Sequence, residues 1–479
     1  MQARRLFICW GGFMRAGLQV ISALFLLIMF VMPVWGPEDL LWHNWQRICQ
    51  VLLSLLSCFA LMFLFREEVR RSGGRVLALA FSVIFVGVVS SSINGVGMWG
   101  MVEVAQYAML FSLFLMARAL RLQVGDVADN HLVHFVLFLC LAKVVQFFSA
   151  WLAAISGNAG LPNLWLLLDG FSNPRFYAQF LALAIPVVAY PLIFSRTRAL
   201  SLFAFFVLCG LWMILLVTGA RGAWMALGVT IFFSLAFGKF GWLWAGWQMA
   251  GVAFGGLGYW LVLVSLSGGG DGAVENSIVS RLTTSLSARD VLWSEAMQMI
   301  ASHPFIGVGP MGFASELNFI GAHPHQSILQ WACEWGVPVA LLVGGYMLAV
   351  GVQIANMMRQ RRTSVEGRDA LRLCIAGGVL AALVYSMVDG VLVMPYSQTV
   401  FVVLAGWLWG LLPISERERP VGNPWLFALF ACFFVASSAL VYVALRDYPT
   451  LAGNESYFTQ YYSPVLFPRF WAQGFLELE

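Results

Sequence analysis

The run AGLQVISALFLLIMFVMPVW, residues 16–35, decides the fold class of this chain because it contains no charged side chain. A hydrocarbon core roughly 30 Å thick requires a helix of about 20 apolar residues, at about 1.5 Å per residue. Arg4 and Arg5 precede the run, as they would in a signal peptide, but the run is of spanning length and lacks a small-residue cleavage site. We therefore predict that residues 16–35 form a retained membrane-spanning helix.

The rest of the sequence repeats this pattern. Hydrophobic residues make up 61% of the 479 positions and charged residues only 10%, whereas soluble domains are about 25% charged. Further apolar runs lie near residues 46–65, 76–97, 101–119, 132–155, 177–195, 201–217, 223–238, 244–266, 327–352, 371–389, 397–413 and 424–444. The sequence thus predicts an all-α integral membrane protein with about 12–13 transmembrane helices. The small net charge of +4 gives no indication of a nucleic-acid partner.

Basic residues fall in every second connection between these runs. They are Arg4 and Arg5, then Arg66, Arg70, Arg71 and Arg75, then Arg118 and Arg121, then Arg196 and Arg198, then Lys239, then Arg359, Arg361, Arg362, Arg368 and Arg372, and finally Arg417 and Arg419. Basic residues are retained on the cytoplasmic side. The other connections are therefore predicted to lie outside: residues 36–45, 156–176, 218–222, 267–326, 389–397 and the tail from Arg446.

Residues 267–326 form the one long outside loop. It opens with SGGGDG at residues 267–272 and continues with ARDVLWSEAMQMI at residues 288–300. A glycine-rich entry followed by a helical pattern is typical of a lid or a small platform outside the membrane. Because loops carry function more often than the elements they join, we look for the functional site on this face.

Three histidines lie in or at the end of this loop: His303, His323 and His325. The last two belong to AHPHQSILQW, residues 322–331, at the start of the next apolar run. An imidazole can accept a proton from a hydroxyl nucleophile near neutral pH. Histidines in this position can equally cap the helix or pair with lipid headgroups.

Four arginines lie in the predicted outer connections between the runs, where the orientation rule depletes them: Arg175, Arg221, Arg281 and Arg289. Guanidinium groups bind diphosphate oxygens in a bidentate fork, so several together would hold the anionic head of a lipid carrier. Each one alone can instead pair with an acid such as Asp290 or extend to lipid headgroups. Arg221 is the best candidate, because its connection is too short to leave the membrane surface.

Three further polar residues are candidates for contacting or orienting an acceptor. Gln179 follows Arg175 by one helical turn, Gln326 follows the second histidine, and Tyr396 lies in DGVLVMPYSQ, residues 389–398. A role at the start of a helix is an equal alternative for Tyr396, since Pro395 interrupts the preceding run.

Together these segments resemble the O-antigen ligase and polymerase superfamily over residues 171–340. The matching motifs are FSNPRFYAQ at 171–179, TGARGAW at 218–224, RDVLWSEA at 289–296, HPFIGVGPMGF at 303–313 and HPHQSILQWACEWGVP at 323–338. The resemblance implies a membrane fold similar to glycosyltransferases of the GT-C class. It also implies that a preassembled glycan moves from undecaprenyl diphosphate to an acceptor hydroxyl in the periplasm.

The resemblance also suggests roles for single residues. His325 matches the family histidine that activates the acceptor, with His323 in support, whereas Arg221 and Arg289 match arginines that hold the diphosphate. Asn commonly follows the family histidine, but Gln326 stands here, which lengthens the amide's reach by one methylene.

The resemblance further implies the partners and the location. The donor is a glycan linked to undecaprenyl diphosphate, the acceptor is lipid A core or the Ser or Thr of pilin or another protein, and membrane lipids surround a multi-pass chain in the bacterial inner membrane. No cofactor is expected, and no metal, since no D-x-D pattern faces outward. We divide the chain into N-terminal helices (1–170), a catalytic membrane domain (171–415) that includes the loop 267–326, and a C-terminal helix with a periplasmic tail (416–479).

A chain with many apolar helices and a few charges is also compatible with two other functions. These are an O-antigen repeat polymerase and a transporter or flippase for a polar lipid. Transporters place their ionisable residues near the bilayer midplane, whereas here the informative residues gather at one face. A purely structural scaffold gives no reason for that gathering.

Overall fold

The computed structural model of this chain describes residues 2–94, 96–157, 164–195, 197–265, 288–364, 366–413 and 420–475. It is 80% helical, and no strand occurs among these residues. The predicted all-α membrane class is therefore confirmed.

Helices α1 to α19 follow one another along the described part of the chain. They are α1 (Gln2–Val34), α2 (Trp42–Phe63), α3 (Arg66–Arg70), α4 (Gly74–Ile93), α5 (Gly97–Val124), α6 (Asp126–Ser156), α7 (Leu164–Leu167), α8 (Pro174–Val188), α9 (Tyr190–Ile193), α10 (Arg198–Thr218), α11 (Arg221–Ser234), α12 (Gly238–Tyr259), α13 (Arg289–Ser302), α14 (Ser327–Trp335), α15 (Val337–Gln360), α16 (Gly367–Tyr385), α17 (Pro395–Leu411), α18 (Asn423–Asp447) and α19 (Leu451–Tyr461).

Within the described residues, ten helical stretches are long and apolar enough to cross a membrane. Two further predicted spans correspond to α16, which carries Arg368, Asp369 and Arg372 near its start, and to α17, which has only 17 residues. The stretch from Arg221 to Leu263 contains two predicted spans. When Arg221–Leu263 is counted as two spans and α16 and α17 are added, the described residues contain 13 spans, in agreement with the predicted 12–13.

The stretch from α11 to α12 is a hairpin. The Ser234 hydroxyl lies 3.4 Å from the Gly241 carbonyl oxygen, although seven residues of continuous helix would separate them by roughly 10 Å. Gly238, at φ +71°, makes the reversal, since this backbone conformation favours glycine.

The sequence predicts a single helix over residues 327–352, but the structure has two helices there. Gly336, at φ +86°, separates α14 from α15. A side chain at this position would clash with the Phe305 carbonyl oxygen. The sequence shows an unbroken apolar run there, but the close approach of the preceding loop requires a break.

The bundle is built around α5, which packs on α2, α17 and α18, and around α8, which packs on α10 and α16. The bundle buries 78% of the spanning part of α5 and of the stretch Pro174–Ile193, which begins with α8, but only 6% of that of α15. Helices from all three predicted portions of the chain therefore pack together. The division at residues 170 and 415 remains a prediction.

Connections predicted to lie inside contact one another at one end of the bundle. The Arg118 guanidinium donates to the Ser72 hydroxyl at 2.8 Å, Arg368 pairs with Asp126 at 2.9 Å, and the Val421 amide donates to the Arg70 carbonyl at 2.8 Å. Connections predicted to lie outside meet elsewhere; for example, the His43 amide donates to the Ser172 hydroxyl. The alternation in the sequence thus corresponds to two separate ends of the molecule.

Candidate functional site

The segment with the two histidines turns sharply before α14. His325 has φ +55°, which is uncommon for a residue with a side chain, and its amide donates to Nδ1 of His323 at 3.2 Å. The ring centroids of the two histidines are 4.1 Å apart. The Gln326 side-chain oxygen accepts from the Leu329 amide and so caps α14. The turn fixes both rings at the mouth of the helix.

His323 is buried, and its ring packs on Gly390, where a side chain would clash with it. Burial, and then the charges of His325 and Arg469, lower the pKa of His323 well below its ordinary value. Its imidazole is therefore neutral near pH 7, and Nδ1 already accepts a hydrogen bond. This geometry favours a supporting role for His323 rather than proton transfer.

His325 faces a buried carboxylate. Its Nδ1 lies 3.5 Å from Oδ1 of Asp389, and the Asp389 side chain is only 2% exposed. That carboxylate also accepts from the Gln179 amide at 3.2 Å and the Gly390 backbone N–H at 2.7 Å. The Ser397 hydroxyl donates to Gln179 at 2.8 Å. Asp389 is therefore held in place from α8, α17 and its own turn.

Asp389 is ionised in this setting. Burial alone would raise the pKa of Asp389, but hydrogen bonding and the charges of His325 and Arg175 hold that pKa below its ordinary value. A fixed carboxylate beside one ring nitrogen orients an imidazole and stabilises its protonated form. The Nε2 atom of His325 is then the nitrogen left to meet a substrate.

Three of the predicted arginines lie around this pair. Arg175 is at the first turn of α8, Arg221 begins α11 and Arg289 begins α13. Arg175 and Arg221 are exposed, and Arg289 is partly buried. Burial lowers the pKa of Arg289, Asp389 raises it, and the charges of Arg175 and Arg221 lower it further. The three guanidinium groups are therefore close enough to interact electrostatically. The fourth predicted arginine, Arg281, lies outside the described residues.

The loop helix α13 forms a platform against the histidine segment. The predicted helix at residues 288–300 is confirmed as Arg289–Ser302. The Trp293 indole donates to the Pro324 carbonyl at 3.1 Å, and Leu292 packs in a small apolar cluster with Phe313 and Cys333. Arg289 is thereby fixed relative to the histidines, although the glycine-rich start of the loop lies outside the described residues.

The other predicted polar residues have varied surroundings. Gln179 contacts Asp389 directly, and Gln326 caps a helix. Tyr396 is buried: its ring packs against Phe171 and Phe180, and its hydroxyl donates to the Met29 carbonyl. Those contacts favour a packing role for Tyr396. Among the described residues, no three His, Cys, Asp or Glu side chains are grouped as metal ligands would be.

Two residues at the site have no distinguishing signal in the sequence. Asp389 is one of several acids in the predicted outer connections, and Tyr385 lies at the end of the apolar helix α16. Tyr385 interacts with Asp389 and packs against Gly222, next to Arg221. Asp389 opens the stretch 389–398 and Tyr385 ends α16, but nothing in the sequence pairs either residue with the histidine segment, so only the packing of α16 reveals the contact.

The fold and this arrangement define a class: a multi-pass membrane protein with a site of arginines, a histidine and a buried carboxylate at one end of its bundle. Comparison with protein families then shows that residues 203–344 match the family model of O-antigen ligase, confirming the predicted resemblance to that superfamily. The match includes Arg221, Arg289 and His325 but not Arg175, Gln179 or Asp389. It supports a membrane glycosyltransferase of the ligase or polymerase type. No curated protein matches the chain.

Proposed function

We propose that this protein transfers a preassembled glycan en bloc from undecaprenyl diphosphate to an acceptor hydroxyl at the periplasmic face of a bacterial inner membrane. The observation that carries the proposal is the convergence of His325, Asp389 and three arginines from five separate segments of the chain. The positive-inside rule assigns the opposite, basic end to the cytoplasm.

In the proposed step the oxygen of the acceptor hydroxyl attacks the anomeric carbon of the donor sugar. A new carbon–oxygen bond forms as the bond from that carbon to the diphosphate oxygen breaks, and the diphosphate leaves with the electron pair. The hydroxyl proton passes to Nε2 of His325, because Nδ1 faces Asp389 at 3.5 Å. The carboxylate then stabilises the imidazolium.

The arginines supply the other half of the chemistry. Negative charge develops on the departing diphosphate, and fixed guanidinium groups stabilise such charge where it forms. Arg175, Arg221 and Arg289 are each at the start of a helix, where backbone N–H groups also favour an anion. The lipid diphosphate is already an activated donor, so the reaction needs no nucleotide site.

We propose lipid A core or the Ser or Thr of pilin or another protein as the acceptor. A repeat polymerase, in which the acceptor is itself a glycan, is the alternative within the same family type. The two differ only in the acceptor that reaches His325, so the test compares acceptors.

The test is glycan transfer by the purified protein from undecaprenyl-diphosphate glycan to lipid A core and, separately, to pilin, with wild type and His325→Ala. Loss of the base should lower transfer by about 10²–10⁴-fold, the usual contribution of a positioned acid or base. The matched control is His303→Ala, because His303 is exposed and its ring bonds to the hydroxyl of the neighbouring Ser302.

The outcomes separate the candidate functions. Product on one acceptor that is lost in His325→Ala but kept in His303→Ala supports the proposal and identifies the acceptor. Equal product from His325→Ala would exclude His325 as the base. Lengthening of the lipid-linked glycan without either acceptor would assign the protein to the polymerases, and no conversion of any substrate would contradict an enzymatic role.

A further inference from the structure

The C-terminal segment 467–475 lies inside the bundle, behind the histidine segment. Phe470 and Trp471 are buried in an apolar cluster with helices α5 and α18. The Arg469 side chain is only 2% exposed. A tail rich in aromatic residues thus contributes a buried arginine to the molecule.

Two carboxylates hold the Arg469 guanidinium. Its Nη2 lies 2.7 Å from Glu103 on α5 and 2.6 Å from Glu334 on α14. Burial alone would lower the pKa of Arg469, but these two carboxylates raise it above its ordinary value, so the arginine is charged. A buried charge is tolerated only when it is paired in this way.

The other end of the guanidinium reaches the histidine segment. Nη1 of Arg469 donates to the Ala322 carbonyl at 3.2 Å, directly before His323. Gly474 lies against Ala322 as well, since a side chain at Gly474 would be 3.1 Å from the Ala322 Cβ. The tail therefore touches the segment that carries both histidines.

The tail is itself fixed from the far side. Arg47 on α2 donates to the Arg469 carbonyl at 2.9 Å and to the Phe470 carbonyl at 3.1 Å. The Ala472 amide donates to the Asn44 side chain at 2.8 Å. Arg469 thus links α2, through its carbonyl, and α5, through its guanidinium, to the histidine turn.

We propose that Arg469 is a positioning residue for the transfer reaction, which holds His325 in place through the Ala322 carbonyl. The inference rests on the function proposed above. The guanidinium connects the turn to the carboxylates of Glu103 on α5 and Glu334 on α14. If it positions His325, changing Arg469 must lower turnover by more than any loss of stability explains.

The test uses Arg469→Lys. Lysine keeps the charge between Glu103 and Glu334, but its single nitrogen cannot also occupy the place from which Nη1 reaches Ala322. The matched control is Arg372→Lys, which replaces another buried guanidinium paired with a carboxylate, that of Asp369, at the opposite end of the bundle from the histidine segment. Each variant is purified as the full chain, and transfer is normalised to the folded, monodisperse fraction.

We expect Arg469→Lys to lower kcat per folded molecule about 10-fold or more with little change in the donor KM, and Arg372→Lys to retain turnover even where its thermal stability falls equally. A second readout does not depend on activity. Ser327→Cys, at a buried position next to the turn, should react faster with a maleimide in the Arg469→Lys background and not in the Arg372→Lys background.

Wild-type turnover in Arg469→Lys, or equal losses in both lysine variants, would overturn the inference, and so would an unchanged labelling rate at position 327. Failure of the proposed function is seen separately, as an inactive wild type or an active His325→Ala. In that case the labelling rates alone decide whether Arg469 holds the turn.

Discussion

At the scale of single residues, the proposed reaction depends on the contact between His325 and Asp389. Asp389 is buried and ionised, and it accepts hydrogen bonds from the neutral Gln179 amide and the Gly390 N–H. Its negative charge faces the imidazole of His325 and also acts on the guanidinium groups of Arg175 and Arg289. A carboxylate used in this way favours the protonated histidine that forms as the acceptor loses its proton.

Asp389→Asn should consequently lower transfer by about 10²-fold or more, while the Asn oxygen can still accept from Gln179 and Gly390. The measurement is kcat for transfer at saturating donor. The control is Glu316→Gln, an acid on the same face that lies outside this contact. A variant with normal kcat would show that His325 needs no carboxylate partner.

At this scale the sequence predicted part of the site. His325, Arg221 and Arg289 were recognisable because each lies in a local motif. Asp389 and Arg469 were not, because their partners are far away along the chain or in another helix, and no periodicity encodes such a contact. Tyr396 shows the converse: the stretch 389–398 makes it a candidate either for contacting an acceptor or for a role at the start of a helix, and in the structure aromatic packing buries it in the first turn of α17.

At the scale of elements, the packing of α11 on α16 fixes the position of Arg221. Gly222 lies directly against Tyr385, and a Cβ there would be 2.5 Å from the ring. The helix can therefore approach α16 closely only because this residue has no side chain. Arg221 and the tyrosine beside Asp389 are brought together by the same contact.

Gly222→Ala should displace the start of α11 and lower transfer about 10-fold, since overpacking of this kind typically costs about 1–3 kcal/mol. Gly228→Ala is the control on the same helix, because nothing lies within 4 Å of its added Cβ. The checks are kcat and the thermal unfolding midpoint in detergent. Equal behaviour of the two alanine variants would contradict this role of Gly222.

The elements themselves were largely predictable from hydropathy, because length and lack of charge are what a bilayer selects. The exceptions have local causes. The run 327–352 is broken where Gly336 meets the Phe305 carbonyl, and α16 tolerates Asp369 because Arg372 pairs with it. Neither contact partner is visible in a hydropathy profile.

At the scale of the whole molecule, the two ends differ in their chemistry. One end joins arginines and aspartates into ion pairs, such as Arg121 with Asp129 at 2.7 Å. The other end holds the arginines around His325. The sequence predicted this separation from the alternation of basic connections, although it gave no sign that the C-terminal tail returns into the bundle.

The orientation of the chain can be measured with an impermeant maleimide on intact cells. Glu316→Cys should be labelled from outside, and Glu366→Cys, whose side chain is 66% exposed at the other end, only after permeabilisation. The wild type, whose described cysteines are buried or partly buried, gives the background. The reverse labelling pattern would place the candidate site in the cytoplasm.

The buried tail also has a consequence for how the protein is made. Arg469 and the residues around it complete the support of a turn that precedes them by well over a hundred positions. Every helix that carries a candidate site residue therefore leaves the ribosome before the segment that locks the site together. We therefore expect a nascent chain to gain full transfer activity only after Arg469 has been synthesised and has packed against Glu103 and Glu334, and a chain terminated before residue 469 to be inserted but less active.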